Sequence, residues 1–174
     1  MSERKHNGVF KEIMAIKEDG LIDKRRICVL LTCHNRREMT LRCLTALYSA
    51  RDRSGGLQLR VFLTDDGSTD GTAEGVRMFD PEIQIIKGRG DLYWNRGMVV
   101  AWEAALGSGE YFDAFLLLND DTELDPEVFN VLLRSSETID ESAILVGAVR
   151  HPRRDEITYG GVKRISRWHP GRTA

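Results

Sequence analysis

Cysteine is scarce in this chain, and no stretch of it stays apolar for long. Three cysteines among 174 residues, Cys28, Cys33 and Cys43, lack the spacing of a metal cage, and an odd count does not close into a disulfide framework. They fit reduced thiols in or beside a strand and its following helix. No run approaches the roughly 20 apolar residues that span a bilayer. The opening Met1-Ser2-Glu3-Arg4-Lys5 is not followed by the apolar core of a signal peptide. The sequence therefore predicts a soluble, cytoplasmic protein. Internal repeats and low-complexity segments are missing too. So is the dinucleotide fingerprint: Gly88-x-Gly90 has Tyr93 where a third glycine belongs, which counts against a dehydrogenase.

What is present is ordinary globular composition, 41% hydrophobic and 30% charged, with length for one domain and a full core. A net charge of -2 hides an uneven distribution. Residues 150–174 hold seven basic and two acidic side chains, whereas residues 27–149 hold 11 and 20. An acidic body argues against nucleic-acid binding. The basic ends are either solvated surface or a means of attracting phosphates, of a nucleotide or an anionic membrane.

Apolar strands and amphipathic helices alternate. Strands are predicted at Ile27–Cys33, Leu57–Thr64, Ile83–Lys87, Phe112–Asn119 and Ala143–Val149, with a sixth at Ile157–Val162. Asn35 and Glu38 have the spacing of a capping box opening a helix through Leu41, Leu44 and Tyr48. A second helix is expected from Thr69 to Phe79, with Ser68 or Thr69 as its N-cap. A third carries Met98, Trp102 and Ala105 on one face. Asp125-Pro126 opens a fourth, through Phe129, Leu132 and Leu133. In residues 1–26, Val9, Phe10, Ile13 and Ile16 suggest a short amphipathic helix that packs on the domain or touches a membrane surface. This alternation implies right-handed parallel crossovers and an α/β sheet covered on both faces.

Ligands of such sheets bind beyond the carboxyl ends of the strands. There the chain places its polar groups. The run Phe115-Leu116-Leu117-Leu118, read as a fully buried central strand, enters Asn119-Asp120-Asp121. Val61-Phe62-Leu63-Thr64 enters Asp65-Asp66. Adjacent carboxylates repel unless a cation or a phosphate-bound metal lies between them. Either acid pair could also simply begin a turn. Thr32, His34, Asn35 and Arg36 follow the first strand with hydroxyl, imidazole, amide and guanidinium groups suited to a nucleotide, although His34 alone is more often structural. Arg89 and Arg96, on either side of Asp91, fit a diphosphate or a charged surface.

Four segments together carry a resemblance: Cys28 to Arg36, Val61 to Thr72, Gly90 to Met98, and Leu117 to Thr122. In order and spacing they resemble family 2 glycosyltransferases across about residues 27–150. The Asp-Leu-Tyr-Trp-Asn-Arg-Gly-Met and Asn-Asp-Asp-Thr forms are similar to the bacterial rhamnosyltransferase-like branch. The resemblance implies a GT-A αβα sandwich over 27–174 with a mostly parallel central sheet. It implies metal-dependent, inverting transfer from a UDP-, dTDP- or GDP-linked sugar to a saccharide or lipid-linked acceptor, in cell-surface polysaccharide synthesis. Thr32 and Asp66 would hold the nucleoside, with Asp65, His34, Asn35 and Arg36 also in the nucleotide-sugar site. Asp91 and Arg96 would face sugar and phosphates. Asn119 and Asp120 would shape the donor pocket, and Asp121 would bind Mg2+ or Mn2+. The family's catalytic base lies downstream of the metal motif, and nothing after Val149 matches it. The sequence thus leads one to expect a shortened form whose acceptor half is missing, or a non-catalytic sugar-nucleotide-binding module. A sugar-nucleotide pyrophosphorylase needs a glycine-rich loop after the first strand, and Thr32 to Arg36 contains no glycine.

Overall fold

The computed structural model describes residues 25–138, 144–151, 154 and 156–159. The amphipathic segment expected near the amino terminus lies outside them. The described residues fall into two compact units, divided between Asn130 and Val131.

The first unit is built on four parallel strands: β1 (Arg25–Cys33), β2 (Leu57–Asp65), β3 (Gln84–Lys87) and β4 (Ala114–Leu117). Their order is β3-β2-β1-β4. Helices α1 (Arg37–Ser54), α2 (Thr72–Phe79) and α3 (Tyr93–Gly107) are the crossovers. β1 and β2 are long and paired on both sides, and their buried middles, Ile27 to Leu31 and Val61 to Leu63, are wholly apolar, as strand segments covered on both faces must be. Alternation sends Cys28, Leu30 and Phe62 to one face, where they pack with Met98, Ala101 and Ala105 of α3. Val29, Leu31, Val61 and Leu63 face the other way, the side on which α1 meets β2 and α2.

Thr32 pairs with Thr64 at the carboxyl end of the sheet, and α3 rests directly on both. Thr64 Oγ1 donates to the Gly97 carbonyl at 2.8 Å. A Cβ on Gly97 would stand 2.2 Å from Thr32 Oγ1 and 2.9 Å from Thr32 Cβ. The helix reaches the strand only because that position has no side chain. Gly97→Ala is therefore expected to destabilise the protein by about 2 kcal/mol through overpacking, read as a lower urea midpoint. Thr32→Ala in the same chain should return part of that loss. A single mutant with an unchanged midpoint would refute the contact.

Several expectations need correction. The run ending in Leu118 is not a fully buried central strand: β4 is an edge among the described residues, and Leu117 is 49% exposed. Hydrophobicity alone did not separate a central strand from an edge whose inner side packs on α3, as Phe115 does by stacking on Trp102. The Asn35–Glu38 capping box does not form, since no side chain caps α1 in that way. Asp70 substitutes from another loop, accepting the Arg37 N–H at 2.9 Å. The second helix starts at Thr72 rather than Thr69, behind Gly71 in the left-handed region. Ser68 and Thr69 are not its cap, because both are bonded to Asn35 instead. The fourth helix, α4 (Val128–Ser136), begins just beyond Asp125-Pro126.

In the second unit, residues 144–148 form no strand. β5 is only Val149–Arg150, and it pairs antiparallel with β6 (Ile157–Tyr159) in a separate two-stranded sheet. The expected strand Ala143–Val149 is thus reduced to its last residue. Residues 160–162 of the sixth lie outside the described part.

Candidate functional site

The carboxyl ends of β1, β2 and β4 bring the singled-out residues together through the turn after β1. Cys33 pairs with Asp65, and the next three residues bind in two directions. Toward β2, the His34 ring nitrogen Nδ1 donates to the Asp66 carbonyl. Its Nε2 accepts from the Asn35 amide at 3.1 Å, a pattern that needs the neutral ring protonated on Nδ1. Asn35, with φ of 50°, donates its N–H to Ser68 Oγ at 2.9 Å and accepts the Thr69 N–H at 2.7 Å. The two residues lace the β1 and β2 turns together.

Toward β4, Arg36 bridges the acid pair. One guanidinium nitrogen donates to Asp120 Oδ1 at 3.1 Å and Asp121 Oδ2 at 3.2 Å. The cation that adjacent carboxylates require is here a side chain of the protein. The two acids differ in setting. Asp120 is buried and also accepts from Thr40 Oγ1 at 3.5 Å, whereas Asp121 is 42% exposed. Burial raises the pKa of Asp120, Arg36 opposes that, and the neighbouring Asp121 charge adds to it. Asn119 is held from both sides: its carbonyl accepts from the Cys43 thiol at 3.3 Å, and its Oδ1 from the Trp94 indole at 2.8 Å. Burial pushes all three thiols up to about 12, so these free, buried cysteines are poor nucleophiles.

Asp66 organises the loop between β3 and α3. Its side chain, 4% exposed, accepts the N–H groups of Gly90 at 2.7 Å, Leu92 at 2.9 Å and Tyr93 at 3.1 Å. Burial acts to raise its pKa, but these three donors hold it below the ordinary 3.8. Gly88 must be glycine, because a Cβ there would lie 2.5 Å from Asp66 Oδ1 and 2.9 Å from Asp66 Cα. Tyr93 follows with φ of 55°, a left-handed conformation that costs a bulky residue about 1–3 kcal/mol and persists only when its surroundings fix it. The carboxylate of Asp66 is what fixes it. Asp65 is buried beside it and accepts the Ser68 N–H at 2.9 Å.

Thr32 lies packed under Gly97, its side chain turned to the helix. Arg89, Asp91 and Arg96 are exposed and make no side-chain bond among the described residues. The structure thus unites Thr32 to Arg36, Asp65, Asp66 and Asn119 to Asp121 in one network, and leaves Asp91 and Arg96 open at its side. Asp70 and Trp94 were given no role from the sequence. Asp70 anchors both α1 and α2, accepting from Arg37 and from the Thr72 N–H at 3.0 Å. Its partners come from separate helices, so only the fold reveals the role.

A cavity of about 550 Å3 bordered by Asn35, Arg36, Glu38 and Asp70 lies at this end of the sheet. Another, of about 590 Å3, lies at the amino end beside Arg26, Arg51 and Arg60. Glu110 pairs with Arg26 and Arg60 there, and Asp52 with Arg51. None of the singled-out residues lines it.

The acid pair suits a hard divalent cation. One oxygen from each carboxylate faces the same cationic nitrogen, the arrangement of acids that would hold a positive ion between them. Among the described residues no cluster of three His, Cys, Asp or Glu exists to form an all-protein cage. Mg2+ and Mn2+ fit such a site, keeping water or phosphate oxygens as their remaining ligands.

A parallel sheet with acid pairs gathered beyond its strand ends, flanked by crossover helices, is the architecture of GT-A glycosyltransferases. The chain belongs to glycosyl transferase family 2, whose sequence model matches residues 28–173. It is similar in fold to S. aureus TarS, at 13% identity and a TM-score of 0.51, over 66% of this chain and 32% of that one. It is similar also to the mannosyltransferase PcManGT from Pyrobaculum calidifontis, solved with GDP-Man and Mn2+. There identity is 22% and the TM-score 0.52, over 75% of this chain and 37% of the other. The chain spans about a third of the length of these two proteins. Among curated proteins, none matches it by sequence. No helix among the described residues is long and apolar enough to cross a membrane.

Proposed function

We propose that this chain binds a nucleoside-diphosphate sugar at the carboxyl ends of β1, β2 and β4, and that it serves inverting, metal-dependent transfer of the sugar to a hydroxyl acceptor in cell-surface polysaccharide synthesis. The observation that carries this reading is the bridge from Arg36 to Asp120 and Asp121. It is a site already shaped for positive charge between carboxylates, next to an open cavity.

Mg2+ or Mn2+ held by Asp121, with Asp120 behind it, would supply charge neutralisation for the departing diphosphate. Arg36, which bonds both acids in this structure, would then be free for phosphate oxygens, which a guanidinium matches bidentately. Thr32 and Asp66 shape the nucleoside side through the loop and helix they hold, since Thr32 packs on Gly97 and both Asp66 oxygens are occupied. Asp65, His34 and Asn35 border the same side, and Asn119 keeps the rim of the pocket in place. Asp91 and Arg96 face the sugar and phosphates. Inverting attack also needs a carboxylate base on the acceptor side, a role we assign to none of the described residues. A UDP-, dTDP- or GDP-linked donor, a saccharide or lipid-linked acceptor, and a cytoplasmic setting with peripheral membrane contact complete the reading.

Arg36→Ala tests it by effects of opposite sign. Without a competing guanidinium, Mn2+ alone should bind several-fold more tightly, measured by electron paramagnetic resonance. Nucleoside diphosphate affinity in Mn2+ should fall about 10- to 100-fold, the worth of a charged hydrogen bond of about 1.5–3 kcal/mol. Loss of both affinities together would point to a structural role for Arg36 and against the exchange.

A further inference from the structure

We propose that Tyr93 and Trp94 form an aromatic platform that binds a pyranose ring by its apolar C–H face. The inference rests on the donor-site reading and deepens it, because neither residue touches the acid pair. Both rings are open, Tyr93 at 80% exposure and Trp94 at 50%. Yet neither is loosely placed. The Trp94 indole donates to Asn119 Oδ1 at 2.8 Å, so its polar edge is pinned to the loop that carries Asp120 and Asp121. A tryptophan N–H needs such a partner when buried. An exposed one has water available, so here the bond serves to orient the ring.

Tyr93 carries the second observation. It opens α3 in the left-handed region, where glycine or asparagine would fit without strain. Asp66 holds the Leu92 and Tyr93 amides in that shape. Strain held by a buried carboxylate at the edge of a site points to function rather than to packing. The neighbouring sequence supplies hydrogen-bonding groups of both kinds: Asp91 and Arg96 are exposed and have no side-chain partner among the described residues. Flat apolar area beside an open acceptor and an open donor suits a sugar ring, which offers a C–H face and a rim of hydroxyls.

The ring could belong to the donor or to a saccharide acceptor, and the test separates them. Trp94→Ala, Trp94→Phe and Tyr93→Gly would be compared with the unaltered chain in Mn2+. Probes are UDP against UDP-glucose, GDP against GDP-mannose, and methyl glycosides added with the diphosphate. If the donor sugar sits there, Trp94→Ala and Tyr93→Gly should abolish the affinity gained from the sugar. Affinity for the bare diphosphate should stay within about twofold, with Trp94→Phe in between. If an acceptor sits there, glycoside binding should fall tenfold or more, with the donor unaffected. Tyr93→Gly should leave thermal stability equal or higher, since it relieves the strain, so weaker binding could not be ascribed to misfolding. Equal loss for bare diphosphate and for sugar would show a base on the platform and overturn the proposal. Unchanged sugar binding in both variants, or no sugar binding by the unaltered chain, would overturn it too. Failure of the unaltered chain to bind any diphosphate would instead sink the donor-site reading beneath it.

Discussion

Replacing Asp66 with alanine is expected to lower the unfolding free energy by about 3 kcal/mol or more, and to abolish binding of a nucleoside diphosphate. Its carboxylate accepts three backbone N–H groups, from Gly90, Leu92 and Tyr93. Each buried donor left unmatched costs about 1–3 kcal/mol, with some relief where water enters. The change also removes what holds Tyr93 in its strained shape, so the loop and the first turn of α3 should loosen together. Chemical denaturation measures the loss, and amide exchange of residues 90–93 locates it. The pH dependence follows from the same bonds. A carboxylate with a lowered folded pKa stabilises fully above its ordinary value of 3.8 and loses that contribution as pH falls through the folded value. Asp66→Ala should therefore flatten the acid limb of the stability curve as well as lowering its plateau. A variant as stable as the original at neutral pH would show that the three bonds are not made.

Asp121→Ala should do the reverse, leaving the fold and removing the chemistry. The side chain is 42% exposed and, among the described residues, its one polar partner is Arg36, which keeps Asp120. Stability should therefore change by no more than about 0.5 kcal/mol. The gain in nucleotide affinity that Mn2+ provides should disappear. Calorimetric titration with and without Mn2+ measures it. A variant that keeps its metal dependence would move the ligand role elsewhere.

Much of the architecture was legible because its signals are local. β1 and β2 are long apolar runs bounded by polar turns, and Met98 and Ala105 mark the buried face of α3 by helical spacing. The residues at the strand ends were found by the same logic, since a parallel sheet sends carboxyl ends to one edge. What escaped the sequence depends on pairs distant in the chain. Asp70 caps α1 from 33 positions away, so the local Asn35–Glu38 pattern misled. Arg36 meets Asp120 and Asp121 across 84 and 85 positions, so the acid pair looked like a site awaiting an ion from outside. The exposure of β4 depends on which strand takes the centre, and an apolar run of four residues does not record that.

The edge formed by Arg36, Asp66, Asp120 and Asp121 should take up a nucleoside diphosphate together with a divalent cation. Isothermal titration of the unaltered chain with UDP, dTDP and GDP, each with and without Mn2+, tests this most directly. At least one of the three should bind, and bind at least tenfold more tightly in Mn2+. Binding by none of them, or binding indifferent to the metal, would contradict it.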